Sequence, residues 1–594
     1  MGYAILNVLA NGAEPGTAIP IFRSEPYVGG VVSRYAPQFL NDNQASRLIN
    51  VDLDDITRPK LRDGYLILGD STSAMETDID ASLLAKRIAG FGNLHTSTGT
   101  KLFFIAIDNG GSGECYTRTN VGSGGAWVEA LLDATPSDVS FAVNTNDALV
   151  FQANDGLVVL PDSGTKPVVL DPSGVLYSGD GGANNNLEPP SGVVDGCYML
   201  NRVWLFKQGT ASSPPEMHYS LLLPTIGTAW NQAFNTTGEE VSQSIAGRLQ
   251  LSPNNGGLAV AVRPWNEASL MCFFTNCIEE VLVFSSSPQG GSERRVIESR
   301  WGCGSRGSVV AIGLNMYYMD QFGFYRSLSQ TVTGAQAGNA DIPLSDPIAD
   351  ELPNRVNKAQ LSKVQAIAFK DKLYVAYPRD SATESYHVAV HSLSRHVWEG
   401  IWELARPVGK WVVSSIRGSG DELWFSDGST STDPAHISPK LYRFFSGTYL
   451  DNGEAVFYSE SSKALDFDQP ECDKRVHAVH VEINGQPGAT AVVSIQGDED
   501  GVENEFENPL TVSGVGASSF PLTSSSFELN AADFPLTDPV PTVQDSKFRG
   551  SELGADWGRG RTLRLTIRTT SVGKRFERMG YRIMAHVDAY RESD

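Results

Sequence analysis

With 594 residues, 41% hydrophobic and 19% charged, the chain has a globular composition and enough material for more than one domain. A formal net charge of -23 excludes a protein that grips nucleic acid through its whole surface, since phosphate binding needs a basic footprint. No apolar run approaches the roughly 18 residues of a membrane span, and Met1 to Ala10 lacks the basic start of a secretory signal, so neither is expected.

The first sixty residues carry little periodicity and read as an extended arm, with a short strand at Gly29 to Tyr35. Asn50-Val51-Asp52-Leu53 and then Arg58 to Tyr65 form an extended pair of segments, and Asp63-Gly64 supplies a turn near the end. Taken alone this is an ordinary strand, turn and strand. The order Asn-Val-x-Leu, a gap, then Leu61-Arg62-Asp63-Gly64-Tyr65 also resembles the N-terminal segment of propeller-containing tail proteins of tailed bacteriophages. The likeness is to the nozzle or tail-tube proteins of short-tailed phages.

Ser82 to Ile88 is a helix-like piece, and short strands separated by turns follow it. Lys101 to Ile107 ends in Asp108-Asn109-Gly110-Gly111, and Val139 to Leu160 holds three strands separated by Asn146-Asp147 and Asn154-Asp155-Gly156. The clearest unit is Val364 to Leu404. Gln365 to Phe369, Leu373 to Tyr377, Tyr386 to Leu393 and Val397 to Trp402 read there as four strands, with no connection long enough for a crossover helix. Four-stranded meanders of this size build β-propeller blades. A turn followed by an aromatic-rich strand recurs at Leu102, Leu149, Val203, Leu270, Met316, Leu373 and Leu423. This marker predicts an all-β chain with a propeller of about seven blades, six and eight being the alternatives.

Two later stretches carry the same resemblance. Pro343-Leu344-Ser345-Asp346-Pro347-Ile348 is similar to the loop before the last blades of phage propeller proteins, and Phe457 to Phe467 is similar to the exit from such a propeller. Beyond Lys474, alternating strands at Val476 to Ile483, Ala489 to Ile495, Arg561 to Arg568 and Met579 to Val587 predict a sandwich-like β domain, with a long insertion at 508–543. The expected division is an N-terminal arm over 1–95, a propeller over 96–455 and a C-terminal β domain over 456–594.

Residues with chemistry are few. Ser426-Asp427-Gly428 misses the spacing of the aspartate turn of propeller glycosidases and reads as a hairpin turn. Asp498 to Glu505 offers several carboxylates for calcium, without the glycine placement of an EF-hand loop, and reads as an acidic hairpin tip. Cys115, Cys197, Cys272, Cys277, Cys303 and Cys472 are scattered, as reduced and partly buried thiols are, and Cys272, Cys277 and Cys303 lack a fourth ligand at useful spacing. No phosphate loop, dinucleotide fingerprint or zinc-protease motif occurs, so no catalytic, cofactor or metal residue is expected and the chain reads as a non-enzyme. One patch runs against the overall charge: Arg559, Arg561, Arg564, Arg568, Lys574, Arg575, Arg578 and Arg582. It reads as a solvated strand face, a contact for an acidic protein surface, or a contact for DNA phosphates.

The resemblance implies a virion structural protein made in the host cytoplasm, a nozzle subunit forming the distal tube of a short tail. It implies a ring, most plausibly of six copies, attached to a tail adaptor and meeting fibre or needle proteins, with DNA leaving through the lumen without sequence-specific binding. Lumen-facing residues are then expected to be acidic or neutral, so that phosphates slide past. The alternatives are a receptor-binding or fibre-attachment propeller protein and, less favoured, a propeller glycosidase.

Overall fold

The computed structural model describes residues 21–67, 87–96, 99–107, 112–118, 128–129, 131–132, 139–140, 148–161, 166–171, 175–177, 189–209, 213–223, 230, 233–234, 246–251, 257–283, 288, 291–298, 300–330, 337–339, 342–415, 421–429, 440–467, 472, 474–486, 488–497, 503–505, 510–511 and 559–587. The regular structure of the described residues is all strand, apart from short 3-10 turns such as Lys358–Lys363. No described helix is long and apolar enough to cross a membrane. Two compact units emerge: a terminal unit of residues 1–64, 389–403 and 447–594, and a central unit of residues 65–388 and 404–446.

The central unit is a succession of small, mainly antiparallel sheets. Arg87–Thr96, Gly99–Ile107 and Ser112–Arg118 begin the first, and Ala148–Ala153, Gly156–Pro161, Val168–Leu170 and Val175–Tyr177 form the second. Val193–Met199, Arg202–Lys207, Glu216–Tyr219 and Gly247–Gln250 make the third, and Ala259–Asn266, Ser269–Phe274, Ile278–Val283 and Ser292–Glu298 the fourth. The fifth runs Val310–Ile312, Asn315–Met319, Tyr325–Gln330 and Ala337–Asn339. Gln365–Phe369 pairs with Lys372–Tyr377 in the sixth. In the seventh, Val408–Ser414, Glu422–Asp427 and Leu441–Phe444 are followed by Tyr65–Ile67, which pairs Phe444 with Tyr65 and Tyr442 with Ile67.

Second strands such as VWLF and LMCFF read as unbroken apolar runs because both their faces are covered. Leu157 and Val168 pack with Ala89 and Phe103 between the first two sheets, Trp204 and Phe206 with Leu270 and Phe274 between the third and fourth, and Met271 and Phe273 with Met316 and Tyr318 between the fourth and fifth. Each such apolar side chain contributes about 1.5–3 kcal/mol by burial. First strands also lie against one another in order. Arg87–Thr96 meets Ala148–Ala153, followed by Val193–Met199, Ala259–Asn266, Val310–Ile312, Gln365–Phe369 and Val408–Ser414, and this last strand meets Arg87–Thr96.

Of the helix expected over 82–88, residues 82–86 lie outside the described residues, while Arg87 and Ile88 open a strand that pairs along Gly99–Ile107. Six of the seven recurring markers fall on the second strand of their sheet. Leu149 is one strand early, because the Asn146-Asp147 pair ahead of it mimics the hairpin turn that Asn154-Asp155 makes between Ala153 and Gly156. The boundary between the units cuts the Val364 to Leu404 stretch: His387–Ser392 begins in the central unit, and Val397–Glu403 belongs to the terminal one.

In the terminal unit one sheet runs Val397–Glu403, Ala45–Ile49, Ser459–Ser462, Leu563–Thr569, Thr490–Gly497, Glu503–Glu505. The other runs Val51–Asp52, Lys60–Leu61, Phe576–Val587, Lys474–Gly485, Arg559–Gly560, with Ile21–Arg23 also on Phe576–Val587. Leu565, Ile567, Val493 and Ile495 of the first and Val479, Val481, Ile483 and Ile583 of the second are buried, and the Tyr458 and Phe576 rings meet at 4.9 Å. Residues read as an extended arm thus supply strands Ile21–Arg23, Ala45–Ile49, Val51–Asp52 and Lys60–Leu61 here. Pieces of two to five residues carry too few alternations to announce themselves. The segment Gly29 to Tyr35 makes a single bridge, Val31 to Ala45.

Candidate functional site

The motif around residues 50–64 folds into a polar clasp within the terminal unit. Asn50 turns the chain with φ 53°, which asparagine tolerates better than most residues. Its Nδ2 donates to the Phe457 carbonyl at 3.0 Å, while its Oδ1 accepts from the Glu403 amide at 2.8 Å and from Arg62 Nε at 3.0 Å. Arg62 then grips Asp451 with both ends of its fork, Nη1 to Oδ1 at 2.8 Å and Nη2 to Oδ2 at 2.7 Å. Its remaining donors reach the Asp63 carbonyl at 3.1 Å and the Glu403 carbonyl at 2.7 Å, so every N–H of the guanidinium is used. The side chains of Arg62 and Asp451 are 0% and 2% exposed. Trp402 lies 5.7 Å from the guanidinium, and its indole donates to the Val51 carbonyl at 2.9 Å. Gly64 cannot carry a side chain, since a Cβ would fall 1.9 Å from the Leu450 carbonyl oxygen.

A second buried pair ties the two sheets of this unit together. Arg578 Nε stands 3.0 Å from Glu460 Oε1, and Tyr458 donates to Glu460 Oε2 at 2.6 Å. The guanidinium also lies 5.0 Å from the Tyr27 ring and 5.4 Å from the Tyr581 ring. Burial works against the Arg578 charge, but Glu460 outweighs it and the proton is held more firmly than usual. Burial, reinforced by Glu460, pushes the Tyr27 and Tyr458 phenols far above their ordinary range; burial also pushes Tyr581 up to about 12, against the pull of Arg578.

The structure scatters the basic patch. Arg578 is interior, and Arg575 stays on the rim beside Glu577 at 3.5 Å. Arg564 and Arg568 share the outer face of the first sheet, four residues apart on Leu563–Thr569, where Arg564 donates to Gln496. Arg561 is exposed in the turn before that strand, and Lys574 lies partly exposed before Phe576–Val587. Arg559 and Arg582 belong to the second sheet, opposite Arg475 and Arg23 respectively.

In the central unit, Asp195 is wholly buried and accepts from the Val262 amide at 2.7 Å and Arg263 Nη1 at 2.5 Å. Burial pushes its carboxyl up, and Arg263 and Arg306 pull part of the way back. Arg263 donates onward to the Arg306 carbonyl and Arg306 to the Val194 carbonyl, so the third sheet, the fourth and the 3-10 turn Arg306–Ser308 ahead of the fifth share one polar tie. Cys197, Cys272, Cys277 and Cys303 are buried free thiols, and burial drives Cys277 and Cys303 up to about 12, out of reach of reaction near neutrality. Asp427 closes its strand by accepting from the Ser429 amide at 2.9 Å. Residues 498–502 of the acidic stretch and the whole 508–543 insertion except Leu510 and Thr511 lie outside the described residues, and Glu503–Glu505 is a strand. Among the described residues no three His, Cys, Asp or Glu side chains stand in a metal-binding group.

Sequence periodicity missed Asp451 and Glu460, because each is a lone acid whose partner lies 389 or 118 positions away. No family model and no curated protein matches the chain. Solved structures similar to it include the structure of U3-55K, with TM-score 0.35 and 7% identity over 64% of this chain and 98% of that one. Another is the extracellular domain of the putative one component system BT4673 from B. thetaiotaomicron, with TM-score 0.35 and 9% identity over 80% of this chain and 58% of that one. Likeness at this level carries no argument about fold or function.

Proposed function

We propose that the chain is a virion structural protein, a nozzle subunit of a short phage tail whose central unit is a seven-bladed β-propeller. The observation that supports it most is the order of the first strands, which runs through seven sheets and returns to Arg87–Thr96. Completion of the seventh sheet by Tyr65–Ile67, directly after the Leu61 to Tyr65 motif, agrees with this reading. On it, Asn50, Arg62 and Gly64 are scaffold residues that fix where the chain leaves the terminal unit. Copies assemble as a ring, six being expected, and the acid excess keeps passing DNA from adhering. The test is immunogold electron microscopy of particles from the source culture with antibody against the purified chain. Gold at the tip of a short tail supports the proposal; gold on peripheral fibres favours receptor binding, and unlabelled particles overturn a virion role.

A further inference from the structure

The two-residue turn Asn154-Asp155 lies in the second sheet of the central unit, and its aspartate is only 9% exposed where a hairpin tip ordinarily shows its side chain to water. Neither oxygen of the Asp155 carboxyl has a hydrogen-bond partner. The sixth sheet makes the same turn with Lys370-Asp371, and there the aspartate is exposed. Aromatic side chains gather beside Asp155. Trp230 packs so closely on the next residue that a Cβ at Gly156 would fall 2.5 Å from its ring. Trp230 shares one apolar cluster with Tyr177 of the second sheet and Tyr198 of the third. Burial, and then the negative field of Asp155, hold the Tyr198 phenol above its ordinary range, and burial, Asp171 and Asp155 do the same to Tyr177. Few bases are at hand to meet this charge. Between Arg118 and Arg248 the sequence holds three lysines and arginines against thirteen acids. Of the three, Lys207 stands 3.6 Å from Glu216, Arg202 donates to the Ser220 carbonyl, and Lys166 is exposed.

We propose that Asp155, with Tyr177, Tyr198 and Trp230 around it, binds an organic ammonium ion. A carboxylate taken out of water is costly to the fold unless a cation meets it. Aromatic rings attract a cation through their faces and cover its carbon substituents at the same time. An inorganic divalent ion asks instead for six or more oxygens, and among the described residues no three His, Cys, Asp or Glu side chains are grouped to hold one. Entry is on the side of Tyr198, since Tyr177 and Trp230 are buried and Tyr198 is only half-buried. The Tyr198 hydroxyl stands 3.3 Å from Asn201 Oδ1, so the exposed turn Leu200-Asn201 forms the rim. Two carriers share this chemistry, a free small amine and the side chain of a lysine in a partner protein, and separate probes tell them apart.

The test is isothermal titration calorimetry of the full-length chain with choline, with its uncharged carbon isostere dimethylbutanol, with a blocked trimethyllysine and with calcium chloride. Choline or the lysine derivative binds at least about tenfold more tightly than the isostere, and the tighter of the two names the carrier. Asp155→Asn removes that preference. The same substitution takes away a buried charge, so its thermal midpoint holds or rises, which separates lost binding from lost folding. Asp371→Asn, at the exposed counterpart in the sixth sheet, leaves binding within about twofold. Equal binding of ammonium and isostere, binding of neither, or ammonium binding that survives Asp155→Asn overturns the proposal. Calcium bound in the native chain and lost with Asp155→Asn overturns it in favour of a metal ion.

Discussion

Arg62 shows what one buried cation contributes when all five of its donors are matched. Arg62→Met takes the two-pronged cation away from the buried Asp451, and about 3–5 kcal/mol of stability should be lost in urea unfolding. Arg62→Met combined with Asp451→Leu should recover most of that, because the buried carboxylate is removed together with its cation. His387 gives the acid limb of the stability profile. Burial, with Arg355 adding to it and Asp380 opposing, pushes its imidazole from 6.5 down to about 4. Between those values the unfolded chain binds a proton that the native one refuses, so this contribution is complete above the upper value and disappears as pH falls toward the lower. Thermal melts from neutrality down to about pH 4 should show a shallower acid loss for His387→Gln. The sequence made the region of Asn50, Arg62 and Gly64 visible as a motif. It could not show Asp451, since an ion pair between distant residues leaves no periodic trace.

Four of the hairpins joining first to second strands share one device, a left-handed residue in a two-residue turn. Asn154 at φ 51°, Asn201 at 56°, Gly313 at 57° and Lys370 at 53° all serve in it. Leu200, at φ 54° and 43% exposed, is a costly case, as Lys370 is, for a left-handed residue that has a β-carbon and lacks asparagine's local hydrogen bonding is strained by roughly 1–2 kcal/mol. Leu200→Asn should raise stability by about 0.5–1 kcal/mol in denaturant unfolding. These turns were readable where they carried Asn-Asp or Asp-Gly and unreadable at Leu200-Asn201, which has half the usual signal. The strand Tyr65–Ile67 was legible only as an extended piece, because its role is set by the distant Leu441–Phe444 and by the packing of Tyr65 against Phe425 at 4.9 Å.

At the scale of the whole molecule, both units are built from separated stretches of chain, a fact that composition and periodicity do not encode. Their stabilities should therefore respond separately. In Arg62→Met, amide hydrogen exchange should quicken in Ala45–Ile49, Val397–Glu403 and Ser459–Ser462, while Arg202–Lys207 and Ser269–Phe274 stay protected. Equal quickening everywhere would show a single cooperative block. The hydrogen bond from Arg578 to Ser24 spans 554 positions. At ordinary translation speeds the early strands therefore wait about half a minute to two minutes on the ribosome before their partners exist. A nascent chain that stops short of those partners keeps bare strand edges, and bare edges are templates on which other chains can pair.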